Sequence, residues 1–115
     1  MTFYVKQNDT SPSMLATLQD ADGNAVNLTA AAVRFHMRKI GRPDVIVDAA
    51  AVVVTPLSGL VRYDWIADDT SDTGSYQAEF EVTYADASIE TFPNDGYIRV
   101  EIIDDITEWH ASLHS

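Results

Sequence analysis

Apolar and polar residues alternate with a period of two through much of the chain. Tyr76, Ala78, Phe80, Val82 and Tyr84 share one phase, while Gln77, Glu79, Glu81 and Thr83 take the other. Successive side chains of a strand face opposite sides of its sheet, so this segment predicts a strand with one buried and one wet face. The same alternation sets Val33, Phe35 and Met37 against Arg34, His36 and Arg38, and Val61, Tyr63 and Trp65 against Arg62 and Asp64. A further strand, 97–103, sets Ile98, Val100 and Ile102 against Arg99 and Glu101. The expected core therefore includes Leu18, Val33, Phe35, Tyr63, Trp65, Tyr76, Phe80, Val82, Ile98 and Val100.

Turn chemistry separates these runs. Asp20 to Asn24 combines Gly23 with side chains that tolerate a left-handed backbone, so it should reverse the chain between strands at 14–20 and 25–29. Further breaks fall at Gly41 to Pro43, Pro56 to Gly59, Asp68 to Gly74, Ala85 to Ser88 and Pro93 to Gly96. The stretch from Asp44 to Thr55 reads either as strand or as a brief helix, with its β-branched content favouring strand. About seven to nine short strands with breaks every eight to twelve residues argue for an all-β, antiparallel sandwich.

The carboxyl end changes character. Asp105 and Glu108 are spaced as a capping box, and Ile106, Trp109 and Leu113 fall on one helical stripe. A helix of two to three turns does not stand alone in water. The reading is therefore a domain at 1–103 and a short helical or extended arm at 104–115. The arm either docks on another subunit, with Ile106, Trp109 and Leu113 as its anchor, or folds back over an open edge of its own sandwich.

Length and charge narrow the function. A chain of 115 residues argues for one domain large enough to bury a core without staples. With 18 acidic and 7 basic side chains the formal charge is −11. That balance repels phosphate backbones and anionic lipid heads, so neither nucleic acid nor membrane is expected as a partner. There is no cysteine, which removes disulfides, thiolate nucleophiles and sulfur-rich zinc sites together. The longest apolar run, Ala49 to Val54, falls far short of a membrane span, and the first residues lack the layout of a secretion signal. A soluble protein made in the cytosol is expected.

The most specific local motif is Asp72-Thr-Gly74-Ser-Tyr76 ahead of an alternating strand. It has the form of the tyrosine corner of immunoglobulin-like sandwiches, in which the phenol bonds backbone at a crossover between sheets. The place of the usual cysteine is taken by Ala78, so the motif speaks for the fold without the disulfide. Asp20, Asp22 and Asn24 have the alternation of a calcium loop, but Gly23 stands one place past Asp22 and no bidentate Glu follows, which favours a plain turn. Asp68, Asp69 and Asp72 read as a solvated loop rather than a cation site. His36 lies on a polar strand face between arginines, and His110 and His114 are four apart without an accompanying acid. No nucleophile elbow, phosphate cradle, metal set or cofactor loop is present, so neither catalysis nor a cofactor is expected. Tyr63, Trp65, Phe92 and Tyr97 suit an aromatic platform for a sugar ring, although the phase of Tyr63 and Trp65 favours core.

Taken in order, several segments resemble the immunoglobulin-like N-terminal module of phage baseplate upper proteins and kindred tail proteins. They are Leu18 to Gly23 followed by Val26 to Thr29, Val33 to Arg38, Gly59 to Trp65, Asp69 through Gly74 to Tyr76, Ala78 to Val82, and Glu90 to Pro93 leading into Tyr97 to Ile102. The resemblance covers roughly residues 3–103 and rests on order and spacing. It implies a structural protein of the virion, made in the host cytoplasm, multi-copy, and assembled with other baseplate, tail or capsid proteins without an active site. The baseplate protein continues into a helical, receptor-attaching region whereas this sequence ends after a short tail, which leaves its place in the particle open. A carbohydrate-binding sandwich used in adhesion is the alternative.

Overall fold

A computed structural model describes residues 2–104, and these form nine strands and two short 3-10 turns. The strands are β1 (Thr2–Lys6), β2 (Met14–Thr17), β3 (Ala32–Lys39), β4 (Val45–Ala50), β5 (Val52–Thr55), β6 (Leu60–Tyr63), β7 (Gly74–Thr83), β8 (Ile89–Phe92) and β9 (Ile98–Ile103). One sheet has the order β1-β9-β7-β3-β4, with β8 also on β7, and the other has the order β2-β6-β5. The two sheets form an all-β sandwich, as the alternation predicts. The terminal stripe of Ile106, Trp109 and Leu113, with His110 and His114, lies outside the described residues.

All ten residues expected in the core are buried. They belong to one cluster that Met14, Leu28, Met37, Val47, Val61 and Phe92 enlarge. Its centre is aromatic. Phe35 stacks on Tyr63 across the sandwich with ring centres 4.3 Å apart, meets Trp65 edge-on at 5.6 Å, and tilts against Phe80, its cross-strand neighbour, at 5.2 Å. Aromatic pairs favour such offset and edge-on arrangements, so the geometry adds to the area buried.

Several boundaries differ from the sequence reading. Residues 25–29 are not a strand, because the Asn27 Oδ1 accepts from both the amide and the hydroxyl of Thr29 and curls the chain into an Asx turn. Only the isolated bridge Gln19↔Ala25 remains of the expected pairing. Asp44 to Thr55 resolves into β4 and β5, which belong to different sheets and leave only Ala51 between them. The strand β1 has no forecast in the sequence reading. It pairs parallel to β9, the one parallel pair among the described strands, and lays Phe3 against the Trp65 ring at 5.8 Å.

The strand that follows β7 is broken. β8 pairs with the end of β7 (Phe80↔Phe92) and β9 with its beginning (Ala78↔Ile98), so residues 93–97 bulge out of one continuous edge. The turn at Pro56 to Gly59 is held differently. Gly59 has φ +66°, and a Cβ there would fall 2.6 Å from the Leu18 carbonyl oxygen. Gly59→Ala should therefore lose more than about 1 kcal/mol, read as a lowered denaturation midpoint, because strain and a backbone clash act together.

Candidate interaction surface

No group of three His, Asp or Glu side chains that could hold a metal ion occurs among the described residues. The Asp20 Oδ1 accepts from the amides of Asp22 and Asn24, each at 2.9 Å, so that loop is a side-chain-stapled turn. Of the four aromatics considered as a sugar platform, Tyr63, Trp65 and Phe92 are buried in the core and only Tyr97 reaches solvent. What remains on the outside is two sheet faces and a set of strand edges.

The outer face of the larger sheet is charged and internally paired. His36 lies between its two cross-strand partners, with Nε2 3.2 Å from the Asp48 Oδ1 and Nδ1 3.5 Å from the Glu79 Oε2. Arg34 also grips Asp48, through Nε to the carboxylate at 2.8 Å and through its terminal nitrogen to the carbonyl at 2.9 Å. The hydrogen bond from Arg34 holds the Asp48 carboxyl below its usual range. Farther along, Arg38 bonds Gln77, and Ser75 donates to Glu101 at 2.9 Å. That hydroxyl, with Arg99 beside it, lowers the Glu101 carboxyl in the same way. A shallow cleft of about 270 Å³ opens on this face beside Arg38, Gln77 and Tyr97. The outer face of the smaller sheet is more apolar. Leu15 and Val52 flank Arg62 in register across three strands, and both are exposed.

The loop from Asp64 to Thr73 is tied to both sheets by tyrosines. The Tyr76 hydroxyl donates to the Asp72 carbonyl at 2.5 Å, while the Asp72 carboxylate turns outward to Lys39 at 3.1 Å. Gly74 has φ +142°, and a Cβ on it would come within 2.8 Å of the Lys39 side chain. A second clamp has no forecast in the sequence. The Tyr63 hydroxyl donates to the Asp69 Oδ2 at 2.5 Å, and the same oxygen accepts the Ile66 amide at 3.0 Å. Asp69 is therefore a buried residue and not part of a solvated acidic loop, since the desolvated Tyr63 phenol and the Ile66 amide both take its carboxylate as their acceptor.

Burial, then the Asp72 charge and hydrogen bond, push the Tyr76 phenol up to about 12. Burial and the hydrogen bond to Glu90 push Tyr84 up to about 12 as well. A phenol that the fold keeps neutral contributes stability that is complete below pH 10, the ordinary tyrosine value. That contribution disappears as pH climbs from 10 through about 12. Melting temperatures measured from pH 9 to 12 should fall through this window, and Tyr76→Phe should flatten the fall while losing about 1 kcal/mol at neutral pH.

The sequence model of the BppU N-terminal domain family matches residues 2–96. The chain belongs to that family. It is thus a phage baseplate structural domain, a component of the virion that works among other virion proteins. The matched span covers every strand from β1 to β8 and stops at the 93–97 bulge, just before β9. No curated protein matches the chain. No helix among the described residues is long and apolar enough to cross a membrane.

Proposed function

We propose that this BppU N-terminal domain is a non-enzymatic assembly subunit of the phage baseplate or tail, present in several copies and acting through protein–protein contacts. The observation that carries this reading is the family match over residues 2–96. The surface chemistry supports it. The paired acids and bases of the larger sheet face bind one another rather than converge on a reacting centre, and the apolar side chains at Leu15 and Val52 suit contact with protein. Mass spectrometry of purified particles tests the reading. The chain should be found at a fixed ratio to other baseplate proteins, and its absence from particles would overturn the assignment.

The sheet order supports an immunoglobulin-like class for residues 1–103, because a five-strand path with its parallel first strand faces a three-strand path. In this reading Asp72, Gly74 and Tyr76 are its structural tyrosine corner, and residues 104–115 are a docking arm anchored by Ile106, Trp109 and Leu113. Deleting 104–115 should leave the melting temperature unchanged and abolish incorporation into particles. A drop of several degrees with aggregation would instead make the arm part of the fold.

A further inference from the structure

We propose that the free edge of β2, with the apolar groove beside it, is a docking site for an extended, basic segment of a partner protein, which joins the smaller sheet as a fourth strand. This deepens the assembly reading and rests on it.

The register fixes which backbone groups are available. The Leu18 amide donates to the Gly59 carbonyl at 2.8 Å, one step beyond the pair Thr17↔Leu60. Hydrogen-bonded pairs alternate in an antiparallel ladder, so Ala16↔Val61 and Met14↔Tyr63 are the bonded pairs. The N–H and C=O groups of Leu15 and Thr17 therefore point away from β6. Among the described residues no strand pairs with β2 on that side.

The open edges at β1, β4, β5 and β8 each carry a charge or a shift that β2 lacks, β8 through Glu90. The ladders at β4 and β5 are both interrupted by register shifts, opposite Met37/Arg38 and between Val53/Thr55. Such bulges twist an edge away from a would-be partner. β1 ends in Lys6. Met14–Thr17 has no charge, no proline and no shift.

Beside this edge the bulge between β8 and β9 leaves a groove of about 210 Å³, with Ala16, Thr17 and Leu18 on one side and Phe92, Pro93 and Tyr97 among the residues on the other. An added strand would supply main-chain hydrogen bonds to Leu15 and Thr17, and one apolar side chain would fill the groove. Strand addition divides affinity and specificity in that way.

Charge selects the occupant. The edge and the groove are themselves uncharged, and the segments that contain them, residues 14–29 and 89–98, carry Asp20, Asp22, Glu90 and Asp95 and no Lys or Arg, while Arg62, opposite Leu15, is paired with Asp64. A strand flanked by Lys or Arg complements that acidic balance. The chain's own residues 104–115 carry Asp104, Asp105 and Glu108 and no Lys or Arg, so they match it in sign and fit it poorly.

The probe is a nine-residue peptide of alternating valine and threonine with a central phenylalanine and a lysine at each end, added to the full chain. Amide hydrogen exchange of Leu15 and Thr17 should slow at least tenfold, and a version with glutamate at both ends should bind at least tenfold more weakly. Thr17→Pro removes an outward donor without touching the β6 ladder, and Thr17→Lys adds a repelling charge at an exposed position that does not threaten folding. Both should lose the peptide. Unchanged exchange at Leu15 and Thr17, protection confined to β1, β4 or β5, or equal binding of the two peptides would each overturn the proposal. So would protection already present in the free chain that vanishes on deleting residues 105–115, which would give the edge to the chain's own tail. Wild-type incorporation of Thr17→Lys into particles would overturn the docking site while leaving the virion assignment intact. Absence of the wild-type chain from particles would remove that assignment itself.

Discussion

Replacing Phe80 by alanine will lower the stability of the fold by about 3–5 kcal/mol, the range for large aromatic truncations in packed cores. Phe80 is fully buried at the middle of β7, the strand that pairs with β3 along one edge and with both β8 and β9 along the other. Its neighbours across the ladder are Phe35 and Phe92, and Phe35 carries the contact onward to Tyr63 in the opposite sheet. The cavity would thus open where both sheets and all three strands around β7 meet. Such walls are set by backbone and do not collapse easily. In a domain near this size each kcal/mol moves the melting temperature by about 4 °C, so thermal denaturation should show a fall of more than about 10 °C. Ile89→Ala supplies the contrast, because Ile89 is exposed on the neighbouring β8 and its truncation should stay within about 0.5 kcal/mol. Wild-type melting of Phe80→Ala would mean that β7 is out by one residue, which would turn its whole apolar set to solvent.

The reason Phe80 could be placed from sequence also marks how far sequence reasoning reaches. Period-two alternation encodes which face a residue takes, and it located Val33, Phe35, Tyr76 and Val100 as well. It does not encode which strand lies alongside. That β4 and β5 leave different sheets one residue apart, or that β1 runs parallel to β9, depends on pairings remote in sequence. Alternation also overreaches where a side chain competes for the backbone, as Asn27 does in ending the expected strand at 25–29. The edge of β2 was legible only as a strand. Its openness follows from the register with β6 and from the bulge at 93–97, and neither leaves a mark in the local pattern.

The loop beneath the sandwich carries the same lesson to single atoms. Asp72 was legible through its spacing to Tyr76, yet the bond that forms uses its carbonyl, which any residue would supply. Asp69 looked like one more acid in an acidic loop, and its side chain is the one that holds the structure. Asp69→Ala will therefore lose about 3 kcal/mol. The substitution strands the Tyr63 hydroxyl in the core and frees the Ile66 amide, and each orphaned donor loses a charge-assisted bond of about 1.5–3 kcal/mol. Asp72→Ala, by contrast, removes only an exposed pair with Lys39 and should change stability by less than about 1 kcal/mol. Chemical denaturation of the two variants side by side separates the roles, since overall charge changes equally in both. Tyr63→Phe adds the decisive arm. If the phenol and the carboxylate act as a unit, combining Tyr63→Phe with Asp69→Ala should destabilise by clearly less than the sum of the two single changes, because the second substitution removes the donor that the first had orphaned. Strict additivity would mean that Asp69 works through Ile66 alone, and that the loop is fixed from its own backbone rather than from the core.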